Sequence, residues 1–101
     1  MSNEVPVQTF VKAEQILPEA YLTQLSRNGR NLYATIWNRL KNTTRRTLWQ
    51  YDEDIAHRSK FRLEQLVSAQ RELVIAGLVH LVPGAIQTQY ELINLEAEET
   101  Q

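Results

Sequence analysis

Residues 62–95 leave this chain few ways to fold. At about 100° per residue, Leu63, Leu66, Val67, Ala69, Leu73 and Val74 share one arc. Glu64, Gln65, Ser68, Arg71 and Glu72 share the other, so an amphipathic helix is predicted over residues 62–76. Gly77 follows at the position just past a helix end, where a left-handed backbone is cheap only for glycine. Residues 78–82 then predict a strand, Pro83-Gly84 a turn, and residues 88–95 a second, alternating strand. The two strands pair as a hairpin, with Ala85 to Gln87 making its loop longer than the tightest kind. A helix that stops on glycine and runs directly into a hairpin must bury its apolar arc against the elements that precede it.

Those elements are legible as well. Residues 1–11 show no period, and residues 1–17 are expected to form an arm. Pro18 suits the first turn of a short helix over residues 19–26, with Leu22 and Leu25 inward, and Asn28-Gly29 signals a break. From Arg30 onward, Leu32, Tyr33, Ile36, Trp37 and Leu40 make one apolar stripe at helical spacing. Residues 47–51, Thr-Leu-Trp-Gln-Tyr, alternate and are rich in strand formers. Asp52 is the expected N-cap of a short helix beginning Glu53-Asp54-Ile55-Ala56, and a turn around residues 58–61 leads into the helix at 62. Residues 96–101 are acidic, lack apolar bulk and are expected to fray. The predicted fold is mainly α with a small β-hairpin, a single domain over residues 18–95.

Length and composition agree with one domain: 101 residues, of which 43% are hydrophobic, suffice for one compact core. The absence of cysteine excludes disulfide scaffolds, thiolate zinc sites and thiol nucleophiles. No basic start followed by an apolar run marks a signal peptide, and no apolar stretch approaches the roughly 18 residues of a membrane span. A cytoplasmic protein without a membrane partner is therefore expected. The net charge of −1 conceals a partition: residues 1–26 carry −2, residues 27–71 carry +6, and residues 72–101 carry −5. A basic middle of that size gives a local electrostatic footprint suited to a polyanion.

The order helix, helix, strand, helix, helix, strand, strand resembles the winged helix-turn-helix superfamily, and particular residues carry the resemblance. Asp52-Glu53-Asp54-Ile55-Ala56 looks like the start of the first motif helix, where a small alanine lets two helices cross closely. Gly77-Leu78-Val79 is similar to the glycine-then-apolar step into the wing, and Leu66, Ala69 and Leu73 match buried positions of the recognition helix. Two features depart from the pattern. Lys60 stands in the inter-helix turn where the family often has glycine, and the wing holds Gln87, Thr88 and Gln89 as uncharged donors in place of bases.

The resemblance implies binding of double-stranded DNA, with the helix at 62–76 in the major groove. Arg62, Glu64, Gln65, Ser68 and Arg71 are the candidate base readers: arginine suits guanine, glutamine adenine, and glutamate the cytosine amino group. Arg39, Lys41, Arg45, Arg46, Arg58 and Lys60 are the candidate phosphate contacts. Trp37, Trp49, Tyr33 and Tyr90 read as core aromatics. His57 and His80 lack a partner at metal-ligand spacing, and Asp52-Glu53-Asp54 reads as helix capping. With no phosphate loop and no nucleophile motif, no catalytic residue, metal or cofactor is expected, and the chain reads as a non-enzyme.

Residues 30–40 also resemble the opening helix of winged-helix domains in plasmid and phage replication initiators. Three functions follow in order. The first is a small transcriptional regulator, expected as a homodimer joined through Phe10, Val11 and the apolar helix residues Ile16, Leu17, Tyr21, Leu22 and Leu25, which equally suit packing on their own domain. The second is a replication or partition protein on repeated sites. The third is a protein-interaction module that leaves DNA untouched and meets a partner through the N-terminal helix or the wing.

Overall fold

A computed structural model describes residues 9–93. They form a small α/β domain with five α-helices and a three-stranded antiparallel sheet. Helices α1 (Ala13–Ile16), α2 (Glu19–Leu22) and α3 (Arg27–Leu40) precede strand β1 (Thr47–Tyr51). Helix α4 (Asp52–Arg58) follows at once, then a 3-10 turn (Leu63–Gln65) that runs into α5 (Leu66–Ile75). Strands β2 (Val79–Pro83) and β3 (Gln87–Leu92) complete the chain. The strand at 47–51 joins the hairpin along β3, so the sheet order is β1-β3-β2. Among the described residues no helix is long and apolar enough to cross a membrane.

Helix α3 begins three residues earlier than predicted, because Asn28-Gly29 is not a break. Ser26 is the N-cap, its Oγ accepting the Gly29 N–H at 3.2 Å. The Ser26 N–H and hydroxyl in turn donate to the Glu72 carboxylate of α5 at 2.8 Å each. A Cβ on Gly29 would lie 2.3 Å from Glu72 Oε1. The glycine therefore marks a close approach between two helices, a role that sequence spacing alone does not distinguish from a chain break.

Residues of the expected N-terminal arm are bound to the same helix. Asn38 brackets Val11, accepting its N–H at 2.9 Å and donating to its carbonyl at 2.7 Å. Ala13, Leu17 and Leu25 are buried, and Ile16, Tyr21 and Leu22 pack against that core. The apolar residues considered for a dimer contact thus cover the domain's own α3, while Phe10 stays exposed. The predicted short helix at 19–26 closes after one turn, because Ser26 is taken up as the cap of α3.

Between residues 51 and 76, three expectations are corrected. Tyr51, extended, is the N-cap of α4, and Asp52 lies inside the first turn. Its carboxylate instead accepts the Thr88 hydroxyl at 2.8 Å, tying the helix start to β3. The predicted helix at 62–76 opens as 3-10 geometry, leaving Arg62 extended before it. Only Leu66, Ala69 and Leu73 of its apolar arc are buried; Leu63, Val67 and Val74 are exposed. A ten-residue helix resting on α3 and β2 has one narrow contact line, and the i, i+3, i+7 residues fill it. In the turn, Lys60 adopts φ +69°, the left-handed conformation that glycine takes more cheaply. The Phe61 N–H donating to the Ala56 carbonyl at 3.1 Å and the buried Ser59 hold it there. Gly77 has φ +77°, as its position after the helix predicts.

The sheet packs one face on the helices. Thr88 and Tyr90 of β3, Val79 of β2 and Gln50 of β1 are buried. Trp49, expected in the core, is 52% exposed, because strand alternation that turns Leu48 and Gln50 inward turns Trp49 outward. Tyr33 and Tyr90 are core residues as expected. Burial raises both phenol pKa values, that of Tyr33 also through the nearby Tyr21 and that of Tyr90 to about 12. An unfolded tyrosine titrates near 10. The stability linked to Tyr90 is therefore complete below pH 10 and is lost as pH rises through its folded value. Urea midpoints measured from roughly pH 9 to 12 should fall by the equivalent of about 2 kcal/mol, and Tyr90→Phe should flatten that decline. An unchanged decline in Tyr90→Phe would assign the alkaline limb elsewhere.

Candidate nucleic-acid interface

The candidate base readers are Arg62, extended before the 3-10 turn, Glu64 and Gln65 within it, and Ser68 and Arg71 on α5. Arg62, Glu64, Gln65, Ser68 and Arg71 are each exposed, opposite the buried line of Leu66, Ala69 and Leu73. Three are partly engaged. Gln65 Oε1 accepts the Arg62 N–H at 2.9 Å, a reach back to the residue before the turn that orders the helix start. Arg62 pairs with Glu64 at 3.5 Å, both side chains more than 70% exposed, so solvent weakens the pair. Val67 is exposed among them, an apolar group of the kind that meets a thymine methyl.

The candidate phosphate contacts divide into exposed and engaged cations. Arg39, Arg45 and Lys60 are exposed. Lys41 is half-buried: its Nζ donates to the Thr9 carbonyl at 2.7 Å and lies 5.8 Å from the Trp37 ring centre, so it tethers the N-terminal segment. Arg46 donates to the Leu92 carbonyl at 3.0 Å and helps close the sheet edge. Arg58 pairs with Asp54 at 3.3 Å, whose carboxylate also accepts from the Gln50 amide.

The expected wing donors are placed differently. Gln87, Thr88 and Gln89 belong to β3, the central strand, and not to the hairpin tip. Thr88 is buried with its hydroxyl committed to Asp52. Gln87 and Gln89 pair with Tyr51 and Trp49 on the outer sheet face. The tip itself is Gly84, Ala85 and Ile86, all exposed and uncharged.

Three cations not singled out from sequence join the turn. Lys12, Arg27 and Arg30 line one cleft with Arg58 and Lys60, against a single acid, Glu14. Arg30 is partly engaged, pairing with Glu14 at 3.3 Å and donating to the Leu22 carbonyl at 2.9 Å. Arg27 is exposed at the first turn of α3, one residue from Ser26, whose partner Glu72 is one residue from Arg71. Reading Asn28-Gly29 as a break hid this cluster, since Arg27 then fell outside any helix. Among the described residues no group of His, Asp and Glu is arranged to hold a metal ion. No family model matches the sequence, and no curated protein or solved structure does either.

Proposed function

We propose that this chain is a winged helix-turn-helix domain that binds double-stranded DNA, with the exposed side of α5 in the major groove. One observation carries the reading: five polar side chains capable of base contacts stand exposed from the residue before the 3-10 turn to the middle of α5, while the opposite line of α5 is buried. The surrounding order supports it. A helix, a strand, two helices joined by a tight turn and a hairpin follow one another, with β3 between β1 and β2. Lys60, Arg45, Arg39, Arg27 and Lys12 are exposed cations available for phosphates. A single such domain covers few base pairs, so operator recognition by a small regulator calls for two copies on a two-fold site.

The test is selection of a duplex from a random pool, followed by anisotropy titration of variants on the selected site. Arg62→Ala and Gln65→Ala should each relax preference at one base position by about 1–3 kcal/mol. Arg45→Ala should weaken selected and unselected duplexes alike. A pool that yields no preferred sequence, or an Arg62→Ala variant indistinguishable from the parent, defeats the assignment of α5 as reader.

A further inference from the structure

On the other side of α5, toward the hairpin, the surface changes character. A groove of about 790 Å³ runs between the start of α4, α5 and the hairpin tip. Its apolar lining includes Leu63, Val67 and Ile86, which are 46%, 62% and 66% exposed, with Tyr51 at 53%. Isolated exposed apolar residues are ordinary; several converging on one groove mark an interaction surface. The Asp52 N–H donates to the Ile86 carbonyl at 2.9 Å and pins the tip to α4, so the groove has a fixed wall. That wall is acidic. Asp52, Glu53 and Asp54 line it, and the lining contains no Lys or Arg, with His57 as its one imidazole.

We propose that this groove docks an amphipathic helix of a protein partner, one carrying an apolar stripe flanked by Lys and Arg. The inference goes beyond DNA recognition and does not depend on it. Charge complementarity selects the occupant: Asp52 holds the Thr88 hydroxyl and Asp54 holds Arg58, which leaves the exposed Glu53 carboxylate beside the apolar floor to repel phosphate and favour a basic flank. Leu63, Val67 and Gln70 recur at i, i+4 and i+7 along the groove, the spacing at which one helix packs along another. Among the described residues a second copy offers no helix that joins an exposed apolar stripe to several bases. In this chain α3 combines bases with an apolar stripe, and its Leu32, Ile36 and Leu40 are already buried in its own core. The same groove accounts for a hairpin tip without bases: it faces a protein instead of a phosphate backbone.

The experiment uses the full chain and a designed helical peptide with leucines at i, i+4 and i+7 flanked by lysines. A second peptide carries glutamate at every lysine position, and a third has its leucines dispersed. Labelled-peptide anisotropy should show binding of the lysine peptide alone, with the other two at least tenfold weaker. Amide shifts in isotope-labelled protein should map to Val67, Gln70 and Ile86. Ile86→Ser, at an exposed tip where folding is little affected, and Glu53→Gln should each weaken the peptide at least fivefold and leave duplex binding unchanged. Equal binding of the lysine and glutamate peptides, or shifts confined to the cleft of Arg27 and Lys60, overturns the proposal. It is also overturned if Ile86→Ser weakens duplex DNA as much as peptide, which gives the groove to DNA, or abolishes self-association, which gives it to a second copy. Loss of duplex binding by Arg62→Ala with intact peptide binding separates failure of one reading from failure of the other.

Discussion

Between roughly 50 and 200 mM salt, affinity for mixed-sequence duplex DNA should fall by about 10²–10³-fold. The expectation follows from the cations left exposed. Lys41, Arg46 and Arg58 are engaged within the domain, which leaves Lys60, Arg45, Arg39, Arg27 and Lys12 as the main candidates for phosphate contact. About five such contacts give a slope near −4.5 in log–log terms, and a fourfold rise in salt then removes nearly three decades of affinity. Arg45→Ala should flatten the slope by about one contact, whereas Lys41→Ala should act mainly through loosening of the N-terminal segment. Anisotropy at several salt concentrations reads both. Binding that ignores salt would mean that these cations do not face DNA. No binding at the lower salt would leave the acidic apolar groove as the chain's principal contact surface.

Leu73→Ala should lower stability by about 2–5 kcal/mol, while Val67→Ala, on the same helix, should change it by less than about 0.5 kcal/mol. Leu73 is fully buried, whereas Val67 is 62% exposed. The alanine at 73 removes apolar contacts and leaves a cavity that the helix cannot fully collapse; at 67 it trims a side chain already in solvent. For a domain of this size a loss of 3 kcal/mol lowers Tm by roughly 12–24 °C and is a large share of a total stability of about 5–15 kcal/mol. Thermal and urea melts of the two variants read the orientation of α5 directly. A larger loss for Val67→Ala than for Leu73→Ala would mean that the inner and outer lines are exchanged, and with them the surface assigned to base reading.

The elements that were legible in the sequence are those decided by neighbours along the chain. Strand β1 was readable from alternation, the end of α5 from Gly77, the tight turn from residues 58–61, and the apolar stripe of α3 from its spacing. The exposure of Arg62, Glu64, Gln65, Ser68 and Arg71 was legible for the same reason, since helical periodicity sets polar residues opposite a buried line.

Tertiary structure decided what each ambiguous residue is used for. Gly29 carries no local mark that separates a break from a helix contact; the Glu72 carboxylate, forty-odd residues away, makes it a contact. Asp52 and Thr88 look like a cap and a surface donor until the sheet brings them together. Lys41 and Arg46 resemble free cations until a carbonyl from another segment occupies them. The arc of Leu63, Val67 and Val74 reads as core because periodicity gives the direction of a face but not its width. Width depends on how much of α5 the neighbouring elements cover. The sequence by itself determined, to within a few residues, where α3, β1, α4, α5 and the hairpin lie, because those follow from backbone geometry over short stretches; it did not mark α1, which fell in the expected arm. Which polar groups stay free for a ligand, and which apolar groups stay exposed for a partner, was decided only by contacts between segments distant in the chain.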